Sequence, residues 1–286
     1  MGKSFSIICL LLAGSVSSLC AADRLSVFSL QKYDEFTEKR VYWTSCTDSD
    51  KILNEIEAYQ ADVFAELPQY AADYEQEKLF WESAFKVERF VYVFSAEDVD
   101  LKQVRLSLKE QMKADEAFIA AHEKSGAVAP QLYVLSADVT SCYMTFSIAA
   151  TLFHGMRVRN LYAKAVEKDP GLWNARTGLA QWLYYAPGIF GGSNKKAREN
   201  FQKAYDVSQT PYVRFYTGLY LSQYWFAKGE REKSARLFAE AEATCPKSRQ
   251  IALVKKQNAK GISLFDYNRN RTGIDKNDDP NATELN

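Results

Sequence analysis

Histidine, proline and glycine are the scarce residues of this 286-residue chain, with 2, 7 and 13 copies. The two histidines, His122 and His154, both read as helix-end residues. They leave no His-Glu-x-x-His site and no Cys/His pair, and Gly-x-Ser-x-Gly is also missing. Acidic residues are scattered over polar helix faces, so no acid/base pair stands out. The expectation is a protein that is not an enzyme, with no catalytic residue, no metal and no cofactor. An excess of one charge sign is lacking as well: 36 Lys+Arg balance 36 Asp+Glu. Zero net charge leaves no electrostatic footprint for nucleic acid or an anionic membrane. Cysteine is limited to five, and only Cys46, Cys142 and Cys245 lie beyond the first 22 residues. An odd number at wide spacing excludes a disulfide scaffold and allows one bridge at most, and buried free thiols are the expected state.

The one long apolar run is at the start. "MGKSFSIICLLLAGSVSSLCAADR" places Lys3 before an apolar stretch from Phe5 to about Val16, followed by small residues. That is the layout of a secretory signal peptide over residues 1–22, too short to span a bilayer comfortably. Cys20 could end a lipoprotein box, but Leu19 stands where a small residue belongs. Cleavage after Ala22 and an unlipidated start at Asp23 are predicted, with the mature chain in the periplasm or secreted.

What the chain does have is apolar and aromatic mass: 47% hydrophobic residues, with 17 Tyr, 17 Phe and 5 Trp. Few breakers and many Ala, Leu, Lys and Glu point to an all-α fold. Residues 160–246 repeat a pattern. Tyr162, Ala165 and Pro170 recur as Phe238, Ala241 and Pro246, and between them as Ala197, Phe201 and Ala204, with Pro211 two residues late. An aromatic and an Ala three apart share one helix face, the small Ala lets a neighbouring helix approach, and Pro suits the first turn of the next helix. The pattern Ala-x3-Phe-x2-Ala-x4-Pro resembles the second helix of the tetratricopeptide repeat. In the last unit Leu221, Trp225 and Gly229 occupy first-helix positions of that family, whereas Ser222 and Gly218 depart from it. A first helix over about 131–153 matches loosely. The repeat alanines lie 39 and 37 residues apart, longer than the family's period. The resemblance implies a degenerate helical-hairpin solenoid over residues 131–257.

The extra residues of the middle unit form the elbow "APGIFGGS". Pro187 and Gly188 end a helix over 171–185, Gly191 and Gly192 supply positive-φ freedom, and Ser193 caps a helix over 193–206. Ile189 and Phe190 are expected to tuck under the elbow. This Pro…Gly-Gly-x4-Ala…Phe-x2-Ala elbow is similar to that of bacterial periplasmic repeat proteins, including the T-component of TRAP-type solute transporters. "GGSNKK" lacks the phosphate-loop frame.

Upstream, residues 23–130 read as degenerate helical pairs that stack on the repeats. Thr47-x-x-Asp50 is expected to open one helix and Ser95-x-x-Asp98 another, and "QYAADYEQEKLFWESAFKVERFVYVFS" reads as one long helix. Residues 258–286 read as a polar, disordered tail, and their calcium-loop mimic from Asp266 has its glycine misplaced.

Fourteen aromatics fall between Trp173 and Phe226. Tyr212, Phe215, Tyr216 and Leu219 share one helical face, with Tyr220 and Tyr224 beside it, and Tyr184 and Tyr185 close the preceding helix. Phe201, Phe215, Phe238 and Trp225 are expected in the core. For Tyr184, Tyr185, Tyr212, Tyr216, Tyr220 and Tyr224, packing in the core and lining a concave groove are the two readings, weighed evenly. The function expected is binding, of a protein or peptide partner, in an aromatic groove. The transporter resemblance implies an accessory that binds a small hydrophobic ligand and meets a periplasmic solute-binding protein. A purely structural envelope protein is the third reading.

Overall fold

The computed structural model of the chain describes residues 23–93 and 99–271. The signal peptide, the Ser95 cap and the end of the tail lie outside the described residues. Within them are twelve α-helices and no strand: α1 Val27–Trp43, α2 Ser49–Tyr70, α3 Tyr74–Val93, α4 Leu101–His122, α5 Pro130–Met144, α6 Ile148–Lys168, α7 Trp173–Tyr185, α8 Asn194–Asp206, α9 Pro211–Ala227, α10 Arg231–Thr244, α11 Arg249–Ala259 and α12 Leu264–Arg271. The protein is all-α. No helix among the described residues is long and apolar enough to cross a membrane.

Short polar residues set the helix starts by accepting from orphan N–H groups of the first turn. Ser193 accepts from the Lys196 amide as α8 begins. Asp48 rather than Thr47 caps α2, accepting from Lys51, because its carboxylate sits at the extended residue immediately before the helix. Pro211 occupies the first turn of α9. Pro170 and Pro246 instead lie in turns ahead of α7 and α11, where Asp169 accepts from the Gly171 amide and Ser248 from that of Gln250. The helix expected over 131–153 is two helices, α5 and α6, broken at Thr145–Ser147. Ser147 caps α6, so His154 lies inside α6, edge-on to Tyr143.

Consecutive helices pack on one another from α1 to α10. The odd helices α3, α5, α7 and α9 also touch in succession, and α1 packs on α9. One hydrophobic cluster runs from Leu25 in front of α1 to Ala175 in α7, so the N-terminal helices share a core with α5, α6 and α7. Phe36 sits at its aromatic centre, with Trp43, Tyr59, Trp81 and Phe85 within 6.1 Å between ring centroids. Ala165, Ala197, Ala204 and Ala241 are fully buried, as are Phe201 and Phe215, while Phe238 and Trp225 are half-buried. Gly178 in α7 lies against the Tyr162 ring so closely that a Cβ would sit 2.3 Å from it.

The elbow is built differently from its expectation. Gly191 does have φ +93°, but Gly192 is needed for space: a Cβ there would lie 1.7 Å from the Ala186 carbonyl oxygen. Ser193 donates its amide to the Leu183 carbonyl, locking the turn onto the end of α7. Ile189 and Phe190 do not tuck under it. They stand 88% and 55% exposed, because a turn closed this tightly on its own backbone leaves no space beneath it.

One buried carboxylate makes stability depend on pH. Asp115 of α4 is fully buried; its oxygens accept from the Ser83 hydroxyl at 3.0–3.1 Å and from Gln111 Nε2 at 3.0 Å. Burial pushes its pKa up to about 7, against the hydrogen bonds of Gln111 and Ser83 and the nearby charge of Lys86, with Glu82 adding to the rise. Arg157 also faces it. A carboxyl group whose pKa is raised by folding favours the fold below its unfolded pKa, near 4, and loses that advantage as pH rises through the folded value. Unfolding free energy is expected to fall between about pH 4 and pH 7 by up to about 4 kcal/mol from this group. Asp115→Asn should flatten that part of the profile in urea titrations at a series of pH values; an unchanged slope would show that Asp115 ionises freely in the fold.

Candidate functional site

The six tyrosines proposed to line a groove separate into two neighbourhoods. Tyr216 and Tyr224 are buried in the core, at 8% and 5% exposure, whereas Tyr184, Tyr185, Tyr212 and Tyr220 are half-buried. Tyr212 donates its hydroxyl to Glu38 of α1 at 2.6 Å and so belongs to the α1–α9 contact.

Tyr184, Tyr185, Tyr220 and Tyr224, with Phe201, gather at the C-terminal end of α7 and along α9, but they are not an empty groove. Phe265 of α12 occupies the space between them. Its ring centroid lies 4.6 Å from Tyr184, 5.5 Å from Phe201, 5.9 Å from Tyr185 and 6.3 Å from Tyr220, and it is fully buried. The Leu264 amide donates to Gln223 Oε1 at 2.9 Å, and Tyr185 donates its hydroxyl to the Phe265 carbonyl at 3.4 Å. Arg269 lies over the Tyr184 and Tyr185 rings. The tail expected to be disordered from residue 258 is therefore helical to Arg271. The sequence did hold a signal for this: the Ser263 hydroxyl accepts from the Asp266 amide, as a helix cap does, and donates to the Asp266 carboxylate, with Leu264-Phe265 between them.

Beyond the Tyr220 ring lies a polar cluster that sequence reasoning missed. Its centre is Arg40 of α1, whose Nε donates to Glu88 of α3 at 2.5 Å while its guanidinium lies 5.4 Å from the Tyr216 ring centre. Asp138 of α5 accepts a short hydrogen bond from the Tyr162 hydroxyl of α6. Asn174 of α7 donates to the Tyr33 hydroxyl of α1 at 3.4 Å. Tyr220 bonds with Gln181 and feels the charges of Arg40 and Asp138. Six helices thus bring one cation, two carboxylates, two amides and four phenols to a common region. Tyr162, Tyr216 and Tyr220 stood out in the sequence as repeat or groove aromatics, but Tyr33, Arg40, Glu88, Asp138, Asn174 and Gln181 were unremarkable helix residues, because only the crossing of α1 against α3 and α9 makes them neighbours.

These groups are deep without being sealed. Arg40, Asp138, Asn174, Gln181 and Tyr220 all keep part of their surface accessible, whereas Glu88 is buried. Burial pushes the Asp138 pKa up to about 6, against the pull of the Tyr162 hydrogen bond and the Arg40 charge. Burial is the largest single influence on Arg40 and works against its charge, but the Glu88 carboxylate together with Tyr216 and Tyr33 outweighs it and holds the guanidinium protonated. Burial raises the phenols of Tyr33, Tyr216 and Tyr220, which remain hydrogen-bond donors at neutral pH. With Asp138 ionised, Arg40, Glu88 and Asp138 together carry one negative charge. Such an arrangement can orient a small molecule through phenol and amide hydrogen bonds against aromatic faces, and it holds no nucleophile paired with a base. Cys142 stands nearby, but burial and the Asp138 and Glu88 charges push its thiol well above its ordinary pKa, the opposite of activation. All three described cysteines are unpaired. Among the described residues no group of three or more His, Cys, Asp or Glu is placed to hold a metal ion. Compared with protein-family models and with curated proteins, the chain matches none.

Proposed function

We propose that this is an exported, tetratricopeptide-like binding protein of the bacterial envelope that holds a small solute in the polar, tyrosine-lined cluster under α1. The observation that carries this reading is the position of α1. Through Arg40 it meets Glu88 on α3 and Tyr216 on α9, and it packs directly on α9. In this reading α1, crossing from α3 to α9, closes the region over a small molecule rather than an extended peptide. The spaced, fully buried alanines of α6, α8 and α10 support a hairpin solenoid, and the N-terminal run supports export. In this reading the protein acts as a transport accessory that passes its solute to a periplasmic solute-binding protein.

Native mass spectrometry of the exported protein tests it. The expected result is one small molecule per chain on a chain beginning at Asp23, with the adduct lost in Asp138→Asn while the melting temperature shifts little. A bare mass in every preparation would sink the solute reading, and retention of residues 1–22 would sink export.

A second reading draws on Phe265. The aromatic groove of Tyr184, Tyr185, Tyr220 and Tyr224 suits an aromatic side chain on a short helix, since it takes one from its own chain. A partner peptide presenting a similar Leu-Phe pair would compete with α12 for this site. A peptide copying residues 261–271 should then bind a chain ending at Lys260 and not the whole chain.

A further inference from the structure

Helix α6 has its polarity reversed over its first two turns. Leu152, Phe153 and Met156, on one face at helical spacing, are 74%, 84% and 44% exposed. The register of α6 against α7 is antiparallel: Tyr162 faces Gly178, and the Trp182 indole donates to the Gly155 carbonyl at 2.8 Å. Continuing that register by one turn puts Leu152 level with the end of α7, from which the elbow projects. Ile189 and Phe190, the exposed elbow residues, therefore stand at the same end of the molecule as Leu152 and Phe153. Among the described residues these five include the three most exposed large hydrophobic side chains.

The charge on the first turns of α8, next to the elbow, has one dominant sign. Lys195, Lys196 and Arg198 follow the elbow on the first turns of α8, all exposed, and none of the three forms an ion pair among the described residues. Arg159 of α6 covers Trp182 beside them. Glu199 is the acid on the same turns of α8. Zero net charge over the chain excludes a global field but not this local one, which a Debye length of about 8–10 Å lets act at short range.

We propose that this end of the molecule, the α6 residues Leu152, Phe153 and Met156 with Ile189 and Phe190 of the elbow, docks on an anionic lipid surface. Protruding apolar tips insert to the headgroup–acyl boundary, and a basic fringe beside them meets anionic headgroups. A second copy of the chain fits less well. A two-fold contact through this patch would bring the Lys195–Lys196 fringes toward each other, like charge against like.

The test is flotation of the purified protein, in the form the cell delivers, with vesicles of phosphatidylcholine alone or mixed with phosphatidylglycerol. Binding is expected to the mixed vesicles and to be weaker by about tenfold or more on phosphatidylcholine alone. Phe153→Asp combined with Ile189→Asp, both at exposed positions, should cut binding by about tenfold or more with unchanged melting, as should Lys195→Glu with Lys196→Glu. The proposal is overturned if neither vesicle binds or if the apolar variants bind as the parent does. It is equally overturned if those variants convert a sedimenting dimer to a monomer, which would assign the patch to a second copy. None of these outcomes bears on the solute site under α1.

Discussion

Replacing Glu77 by Ala is expected to cost about 3–5 kcal/mol of unfolding free energy, among the largest losses any single side chain of this protein can produce. Glu77, in the first turn of α3, is fully buried. Its carboxylate accepts from the Ser26 amide at 3.1 Å and hydroxyl at 2.5 Å, from the Ser29 hydroxyl at 2.5 Å, and from the Ala72 amide at 2.7 Å. Ser29 in turn accepts from the Trp81 indole at 3.0 Å. One carboxylate thus ties the start of α1 to the α2–α3 turn and orders the donors around an indole in the aromatic core. Removing it strands the buried Ser29 hydroxyl and unties the Ser26 and Ala72 donors at the edge of the core, and desolvation without a partner is the expensive term. Glu77→Gln should recover only part of the loss, since its amide nitrogen would face hydroxyl and amide donors. Glu75→Gln, two residues away and exposed, should stay within about 0.5 kcal/mol. Urea unfolding of the three variants decides the matter: equal, small effects at 75 and 77 would remove Glu77 from its anchoring role. Because α1 also carries Arg40 and Tyr33, the same variant should disturb the polar cluster.

Phe265→Ala is the second large effect. Truncating a fully buried Phe ordinarily costs about 3–5 kcal/mol. Here the loss is bounded by what holds α12, a helix of eight residues that leaves the body once its anchor is gone. The expected result is therefore local: fast hydrogen exchange and protease cleavage between Gly261 and Arg271, with a smaller drop in global stability. Tyr220 should respond as well, since one face of its ring stacks on Phe265 and its hydroxyl reaches the polar cluster. Global unfolding at a lower denaturant concentration, with α12 still protected from exchange, would mean that α12 is held by its other contacts. That outcome would also weaken the idea that a Leu-Phe peptide could take its place.

What could be read from the sequence alone was whatever depends on neighbours in the chain. Ser193 as a cap, the end of α7 at the elbow, the helical character of residues 160–246 and the burial of small alanines between aromatics stem from periodicities of three and four residues and from the backbone needs of Pro and Gly. The long α3 was legible as a helix, though it starts at Tyr74 rather than at Gln69, which belongs to α2; helical spacing over twenty residues outweighs the strand propensity of "RFVYVF". Local signals that were present but overridden include Ser263–Asp266, hidden in a polar segment whose one anchor, Phe265, has no periodic companions.

Tertiary structure alone decided which surfaces meet. Arg40 and Glu88 are 48 residues apart, Asn174 and Tyr33 141, and Tyr212 and Glu38 174, and no local rule pairs such positions. The crossing of α1 over α3 and α9 selects them. It turns residues that would read as solvated helix charges into a partly buried ion pair beside a cluster of phenols. The same holds for exposure. Ile189 and Phe190 look like core residues by composition, yet Gly192 draws the elbow so close to Ala186 that both side chains are left outside. Hydrophobicity states what a residue gains by burial, but whether there is a space to fill depends on how the backbone closes around it.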